Sequence, residues 1–174
     1  TLPLIIVGYF LYTTNIIYQL RNINTIAWTT LFFGILLYIA DKNKLLKKIN
    51  TDFNIKSALI IGIFQILALI PGVSRAGITI TAGRILGFDR TSSAKISFYL
   101  SIPALIGAST LGVKDLFKES TEFNILAVVG VFFSFLFSFI TIKFFLKYIK
   151  NFSLNIFVIY RMLLAIILFY IIYF

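Results

Sequence analysis

Between two apolar stretches the chain reads Pro71-Gly72-Val73-Ser74-Arg75-Ala76-Gly77-Ile78-Thr79, which holds one cation, two hydroxyls and two glycines. An arginine at bilayer depth costs about 2.5 kcal/mol or more unless it faces a cavity or a partner. No carboxylate lies close in sequence to serve Arg75, so an anionic ligand is the natural candidate. The guanidinium is a planar fork of donors that suits phosphate oxygens. A helix beginning at Ala76 would leave its first N–H groups free for the same anion. Gly72 and Gly77 permit close backbone approach, and Ser74 and Thr79 add hydroxyl donors. The pattern predicts a phosphate-binding loop that dips into a membrane. The plainer alternative is that Arg75 caps a carbonyl or pairs with a glutamate outside this sequence.

Other polar residues in apolar surroundings carry weaker signals. Gln65 sits two turns before Pro71 and could line the same cavity or bond between helices. Arg84, near the end of the following apolar piece, is expected to snorkel towards water. Ser97 and Ser101 are four apart on one face and read as close-packing positions. Arg161 is a further in-span charge, with functional and structural readings evenly matched. Gly72 to Thr79 also reads G-x-x-x-x-G-I-T, a P-loop with isoleucine in place of lysine. Without that lysine and a preceding strand, the match carries no weight.

The elements that must hold this loop follow from composition. Of 174 residues, 60% are hydrophobic and 13% charged, and the mean hydropathy is +1.00. Soluble domains carry about 25% charged residues, so this chain has too much apolar surface for water. Lipid accepts that surface but leaves no water for unpaired backbone groups, so only helices or closed barrels span. Long unbroken apolar runs favour helices over the alternating pattern of barrel strands. The fold class is therefore all-α integral membrane, a polytopic helical bundle in a single transmembrane domain over 1–174. The formal charge of +10 reflects lysines between apolar runs, at 42, 44, 47, 48 and 56. That is the loop signature of membrane topology, and it argues against nucleic acid as a partner. There are no cysteines and no histidines, which removes disulfides, thiolate metal sites and the commonest general base.

About five transmembrane helices are expected: 3–20, 23–40, 91–113, 123–148 and 154–174, with a kink at Pro103. Trp28 and Tyr38 suit an interface. Residues 57–70 and 76–88 are each too short to cross, and Pro71-Gly72 stops a helix between them. They suggest a re-entrant hairpin over about 57–88, since 30 residues is long for one kinked crossing. Basic loops at 42–56, 90–95 and 143–150 fall on one side only if the hairpin leaves and returns there, which places the C-terminus outside. The mixed segment 114–122 is read as a loop on the other side.

The run Gly62-Ile63-Phe64-Gln65 through Pro71-Gly72-Val73-Ser74-Arg75-Ala76-Gly77-Ile78-Thr79 resembles the second signature of the bacterial undecaprenyl-diphosphatases, G-x-x-Q-x-x-A leading into P-G-T-S-R-S-G-x-T. The likeness continues through Gly83, Leu86-Gly87, Ile96-Ser97-Phe98-Tyr99-Leu100-Ser101-Ile102-Pro103 and Phe157-Val158-Ile159-Tyr160-Arg161. The resemblance implies a phosphatase of the bacterial plasma membrane. It would remove the terminal phosphate of undecaprenyl diphosphate and recycle the lipid carrier of peptidoglycan synthesis, a role tied to bacitracin resistance. It also implies an inverted-repeat fold with two re-entrant hairpins. Ser74, Arg75 and Thr79 would contact the diphosphate, with Gly72, Gly77 and Gln65 around it and Arg75 neutralising charge as the P–O bond breaks. A divalent cation, Mg or Ca, is implied by the family alone, and no ligands for it can be picked out in this chain. Expected partners are the lipid diphosphate and membrane lipids, with a homodimer possible.

Two departures stand out. Val73 and Ala76 replace threonine and serine of the family pattern. The family's first signature, of the type E-x-x-T-E-F-x-P-x-S-S-x-x-H, is absent, and with it the glutamates and histidine of proton transfer. The simplest expectation is a C-terminal part of a longer enzyme, inactive alone. Competing readings are a transporter or flippase for a lipid phosphate or other anion, which also uses broken helices, and a purely structural membrane subunit.

Overall fold

The structure, a computed structural model, describes residues 1–14, 20–43, 46–118 and 125–173, with the backbone alone at 111–118 and 126. Among the described residues it is all helical. The elements are α1 (Leu2–Thr13), α2 (Ile23–Asp41), α3 (Ile49–Asp52), α4 (Ile55–Ile66), α5 (Arg75–Ile85), α6 (Arg90–Lys118), α7 (Ile125–Asn151) and α8 (Asn155–Tyr173). Helices α2 and α8 are long and apolar enough to cross a membrane, as is Ala127–Asn151 within α7. The described side chains of α7 from Ile125 to Phe144 are exposed, as expected of a helix bathed in lipid. The chain is a helical membrane protein.

Helix boundaries follow local chemistry. The side chains of Asn22 and Asn54 accept from the backbone N–H of Thr25 (3.1 Å) and Ser57 (2.9 Å), and so cap α2 and α4. A single 3₁₀ turn, Leu67–Leu69, extends α4 up to Pro71-Gly72. Gly87, at φ 90°, closes α5. Asp89 accepts from Ser92 N–H at 2.6 Å and caps α6.

Helices α4 and α5 pack on one another as a hairpin. Its two ends are joined at the base: Lys47 N–H donates to the Gly87 carbonyl (3.0 Å) and Asp89 N–H to the Lys47 carbonyl (2.9 Å). The chain thus enters and leaves the hairpin at one place. One face of α5 meets α2 and the other meets α6, while α2 also packs along α8. The core has two clusters. Leu37, Ile80, Ala94, Ile149, Leu154 and Val158 knit α2, α5, α6, α7 and α8; Ile61, Ala82, Phe88 and Ile96 seal the hairpin against α6.

Several sequence-based expectations change. Helix α6 runs unbroken through Pro103 to Lys118, so the described part of the segment 114–122 is helix rather than loop; residues 119–122 lie outside the described residues. Of the first expected span, Leu2–Thr13 is helical; residues 15–19 lie outside the described residues, as does Lys44 of the basic run. Helix α6 is long, but its early turns carry Arg90, Ser92, Ser93, Lys95 and Ser97, and it is not among the three helices apolar enough to cross. The polar linker contains the short helix α3. Helix α5 begins at Arg75, one residue before the expected start, because Ser74 supplies the cap.

Arg84 does not snorkel. It is 3% exposed and donates to the carbonyls of Phe88 (2.7 Å), Asp41 (3.0 Å) and Asn43. The Asp41 carboxylate lies 3.4 Å from its Nε and also accepts from Arg90 at 2.8 and 2.9 Å. It takes a third hydrogen bond from the Leu154 N–H at 3.2 Å. A residue that reads as the start of a loop is therefore a buried junction of α2, α5, α6 and the entry to α8.

Candidate functional site

The loop between α4 and α5 is held from outside. Thr29 of α2 donates to the Pro71 carbonyl at 2.6 Å, and Thr30 to the Gly72 carbonyl at 3.3 Å. Arg161 of α8 donates to Gly72 (2.7 Å), Val73 (3.0 Å) and the Thr30 carbonyl (3.4 Å). Three successive loop carbonyls are thereby satisfied by side chains of two neighbouring helices. Buried carbonyls need a donor, and this clamp supplies one to each of the three where the backbone is irregular. Arg161 is 7% exposed, and among the described residues its acceptors are all neutral carbonyls, with no carboxylate beside them.

The clamp fixes an unusual backbone. Gly72 has φ 88° and Ser74 φ 67°, a left-handed value that non-glycine residues adopt at a cost of about 1–3 kcal/mol. A Cβ on Gly72 would run into Thr29 Oγ1 and come within 2.8 Å of the Ile26 carbonyl. On Gly77 it would come within 2.9 Å of Arg161 Nη1. Gly72 is needed for the close passage of the loop past α2, while at Gly77 the Arg161 guanidinium would have to shift.

The turn at Ser74 points the start of α5 into the site. The Ser74 hydroxyl accepts from Gly77 N–H at 3.2 Å, and Ile78 N–H closes the first helical bond on the Ser74 carbonyl at 3.0 Å. That leaves the N–H groups of Arg75 and Ala76 as the open donors of the first turn. The Arg75 side chain is half-buried and has no hydrogen-bond or ion-pair partner among the described residues.

A cavity of about 550 Å³ reaches this loop between α2, α5, α6, α7 and α8. Gly72, Ser74 and Gly77 line it, with Thr30, Tyr160 and Arg161 beside them and mostly apolar side chains beyond. The structure therefore brings together three of the expected residues. Arg75, Thr79 and Gln65 do not line that cavity. Thr79 faces α6, its buried hydroxyl 2.7 Å from Ser97 Oγ and 3.0 Å from the Arg75 carbonyl. Gln65 is fully buried; its amide reaches the Leu100 carbonyl of α6 at 3.5 Å, and its Oε1 has no partner among the described residues.

Sequence reasoning missed Thr29 and Thr30. The available signal was a Thr-Thr pair interrupting an apolar helix, and both hydroxyls meet the loop. Arg161, evenly weighed from sequence, turns out to be a principal support of the loop.

The profile described as "Bacitracin resistance protein BacA" matches residues 1–167. The chain belongs to this family. A protein from Pelagibacter ubique (strain HTCC1062) named "Undecaprenyl-diphosphatase" is 56% identical over 99% of this chain and 68% of its own length. One of the same name from Jannaschia sp. (strain CCS1) is 38% identical over 99% of this chain and 65% of its own length. Another from Elusimicrobium minutum (strain Pei191) is 43% identical over 85% and 56% respectively. The chain spans about two thirds or less of the length of these relatives. The Pro71–Thr79 loop and Arg161, which clamps it, lie inside the family match.

A divalent cation finds no ready cage here. Among the described residues no three carboxylate, histidine or cysteine side chains converge, and the charged groups nearest the loop are the arginines themselves. The residues present do not fit a protein-held metal, so no step is routed through one.

Proposed function

We propose that this chain supplies the diphosphate-binding half of a membrane phosphatase that converts undecaprenyl diphosphate to undecaprenyl phosphate and inorganic phosphate. Family membership and the relatives' shared name support the substrate. The observation that carries the reading is the clamped loop. Its carbonyls are drawn onto Thr29, Thr30 and Arg161, while the Arg75 side chain and the first N–H groups of α5 are left for an anion.

In this reading the terminal phosphoryl group sits at the Ser74–Ala76 end of α5. Water attacks the terminal phosphorus, the P–O bond to the bridging oxygen breaks, and the bridging oxygen leaves on the lipid monophosphate. Arg75 neutralises charge on the phosphate oxygens as that bond lengthens. Arg161 adds a fixed positive charge behind the loop. Ser74 holds the helix start, and its hydroxyl can exchange Gly77 N–H for a phosphate oxygen. Gly72 and Gly77 allow the approach, while Thr79 and Gln65 hold the hairpin on α6. The group that takes the proton from water is assigned to no described residue.

The α4–α5 hairpin is proposed to be re-entrant in the plasma membrane, one half of an inverted repeat in a fold of about five crossings. The joined base at Lys47 and Phe88 supports its entering and leaving on one face. The reading is tested by Arg75→Ala in the full-length protein, followed by phosphate release from undecaprenyl diphosphate. Loss of about 100-fold or more is expected for a donor that stabilises transition-state charge. Unchanged release would sink the proposed role of the loop.

A further inference from the structure

A second cavity, of about 880 Å³, lies well away from the loop. It is lined by Asp41 at the far end of α2, roughly 16 Å from Thr30 by helical rise. Five cations border it, Lys42, Arg84, Arg90, Lys95 and Lys150, against only Asp41 and Asp89. Those two acids are already engaged. Asp41 accepts from Arg90 and from the Leu154 N–H, and Asp89 accepts from the Ser92 N–H. Among the described residues neither Lys95 nor Lys150 meets a carboxylate. Arg84 Nε, fully buried at the cavity, makes no hydrogen bond and lies 3.4 Å from the Asp41 carboxylate, so Arg84 and Arg90 share that one acid. The cavity therefore carries a surplus of positive charge that the protein does not neutralise.

Its position says what could neutralise it. All three apolar spans end here: α2 at Asp41, α7 at Asn151, and α8 begins at Asn155. The cavity thus opens where hydrocarbon gives way to headgroups. Lys/Arg-rich ends mark the cytoplasmic side of a membrane protein, and the lipid surface on that side is negative. Basic pockets between helices at that level recognise phosphate headgroups. Leu46 and Ile149 give the cavity an apolar wall beside its charges, matching an amphiphile better than a free ion.

We propose that this cavity binds a phosphate anion presented by an acidic membrane lipid, with Lys95 and Lys150 as its outer contacts and Arg84 and Arg90 behind them. The site is independent of the Ser74–Arg75 loop and does not rest on the phosphatase reading. Occupation would tie the ends of α2, α6 and α7 together across the base of the hairpin.

The test uses the full-length protein reconstituted in nanodiscs of phosphatidylcholine with or without phosphatidylglycerol, read by native mass spectrometry and thermal unfolding. Wild type is expected to retain phosphatidylglycerol in excess over phosphatidylcholine and to melt higher with it. Lys95→Gln/Lys150→Gln removes two exposed charges and should lose most of that excess and of the shift. Lys143→Gln/Lys147→Gln removes the same charge from α7 outside the cavity and should keep both. A parallel arm adds inorganic phosphate to protein in neutral detergent. A shift there equal to that from phosphatidylglycerol assigns the site to free phosphate, and no shift assigns it to the headgroup. Equal loss in both double variants, or no preference in wild type, overturns the proposal.

Discussion

Arg161 Nη2 donates to the Gly72 carbonyl at 2.7 Å across 89 positions of sequence. The same guanidinium holds Val73 at 3.0 Å. Two arginines thus divide the work at this loop. One is buried and holds its shape; the other, Arg75, is half-buried and left without a partner among the described residues. A planar fork can satisfy two adjacent carbonyls at once, which an ammonium on a flexible stem does poorly.

Arg161→Ala should therefore act through the loop. It leaves the Val73 carbonyl without its donor and Gly72 with only the 3.3 Å contact from Thr30, at ~1–3 kcal/mol for each unmet buried group. Thermal unfolding in detergent should register the loss, and Arg161→Lys should recover only part of it. Full stability of the alanine variant would mean that the clamp is not needed.

Gly72→Ala should destabilise by more than the ~1 kcal/mol of an unfavourable left-handed φ, since its Cβ also meets Thr29 and the Ile26 carbonyl. Gly62→Ala is the matched comparison. It lies inside α4 with nothing within 4 Å of its added Cβ, so it should be neutral or stabilise by up to ~1 kcal/mol. Melting temperatures of the two variants should move in opposite directions or differ plainly. Equal shifts would contradict the special backbone at Gly72.

How far the sequence could lead is clearest at these residues. Pro71-Gly72 as a break, a helix start just beyond it and the hairpin itself were legible, because turn chemistry is local; Ser74 as the cap was not. The partners of the loop were not. Thr29, Thr30 and Arg161 come from helices remote in sequence, and nothing in helical periodicity says which face of α2 or α8 meets a given carbonyl. Arg84 shows the same limit in reverse. A cation near a helix end ordinarily reaches water, but Asp41 and the Phe88 and Asn43 carbonyls meet it first. Lys114, Asp115 and Lys118 pattern as a loop yet continue α6, because lysine and aspartate are tolerated on a helix that extends beyond lipid.

Asp41→Asn should be among the most damaging single changes in the chain. It removes the charge facing Arg84, which is 3% exposed, and breaking a buried pair by removing one partner costs ~3–5 kcal/mol. Arg90→Gln removes a partner whose side chain is 34% exposed and leaves Arg84 and the Leu154 N–H on the buried carboxylate, so it should cost less than Asp41→Asn. The order of the two melting temperatures is the check. A milder effect for Asp41→Asn would show that Arg84 is supported by its carbonyl acceptors alone.

The last prediction separates holding from binding at Thr79. Its hydroxyl stands 2.7 Å from Ser97 Oγ, buried between α5 and α6. If the pair serves mainly to fasten the hairpin, Thr79→Val and Ser97→Ala should each cost ~1 kcal/mol, and the double variant little more than either. Phosphate release by the full-length protein should then fall only with the folded fraction, and equally for both variants. A direct ligand behaves differently: Thr79→Val would lose release well beyond its loss of stability, while Ser97→Ala would not. The geometry favours the first outcome. The shared hydrogen bond uses the hydroxyl that a phosphate would need, and Thr79 is 1% exposed.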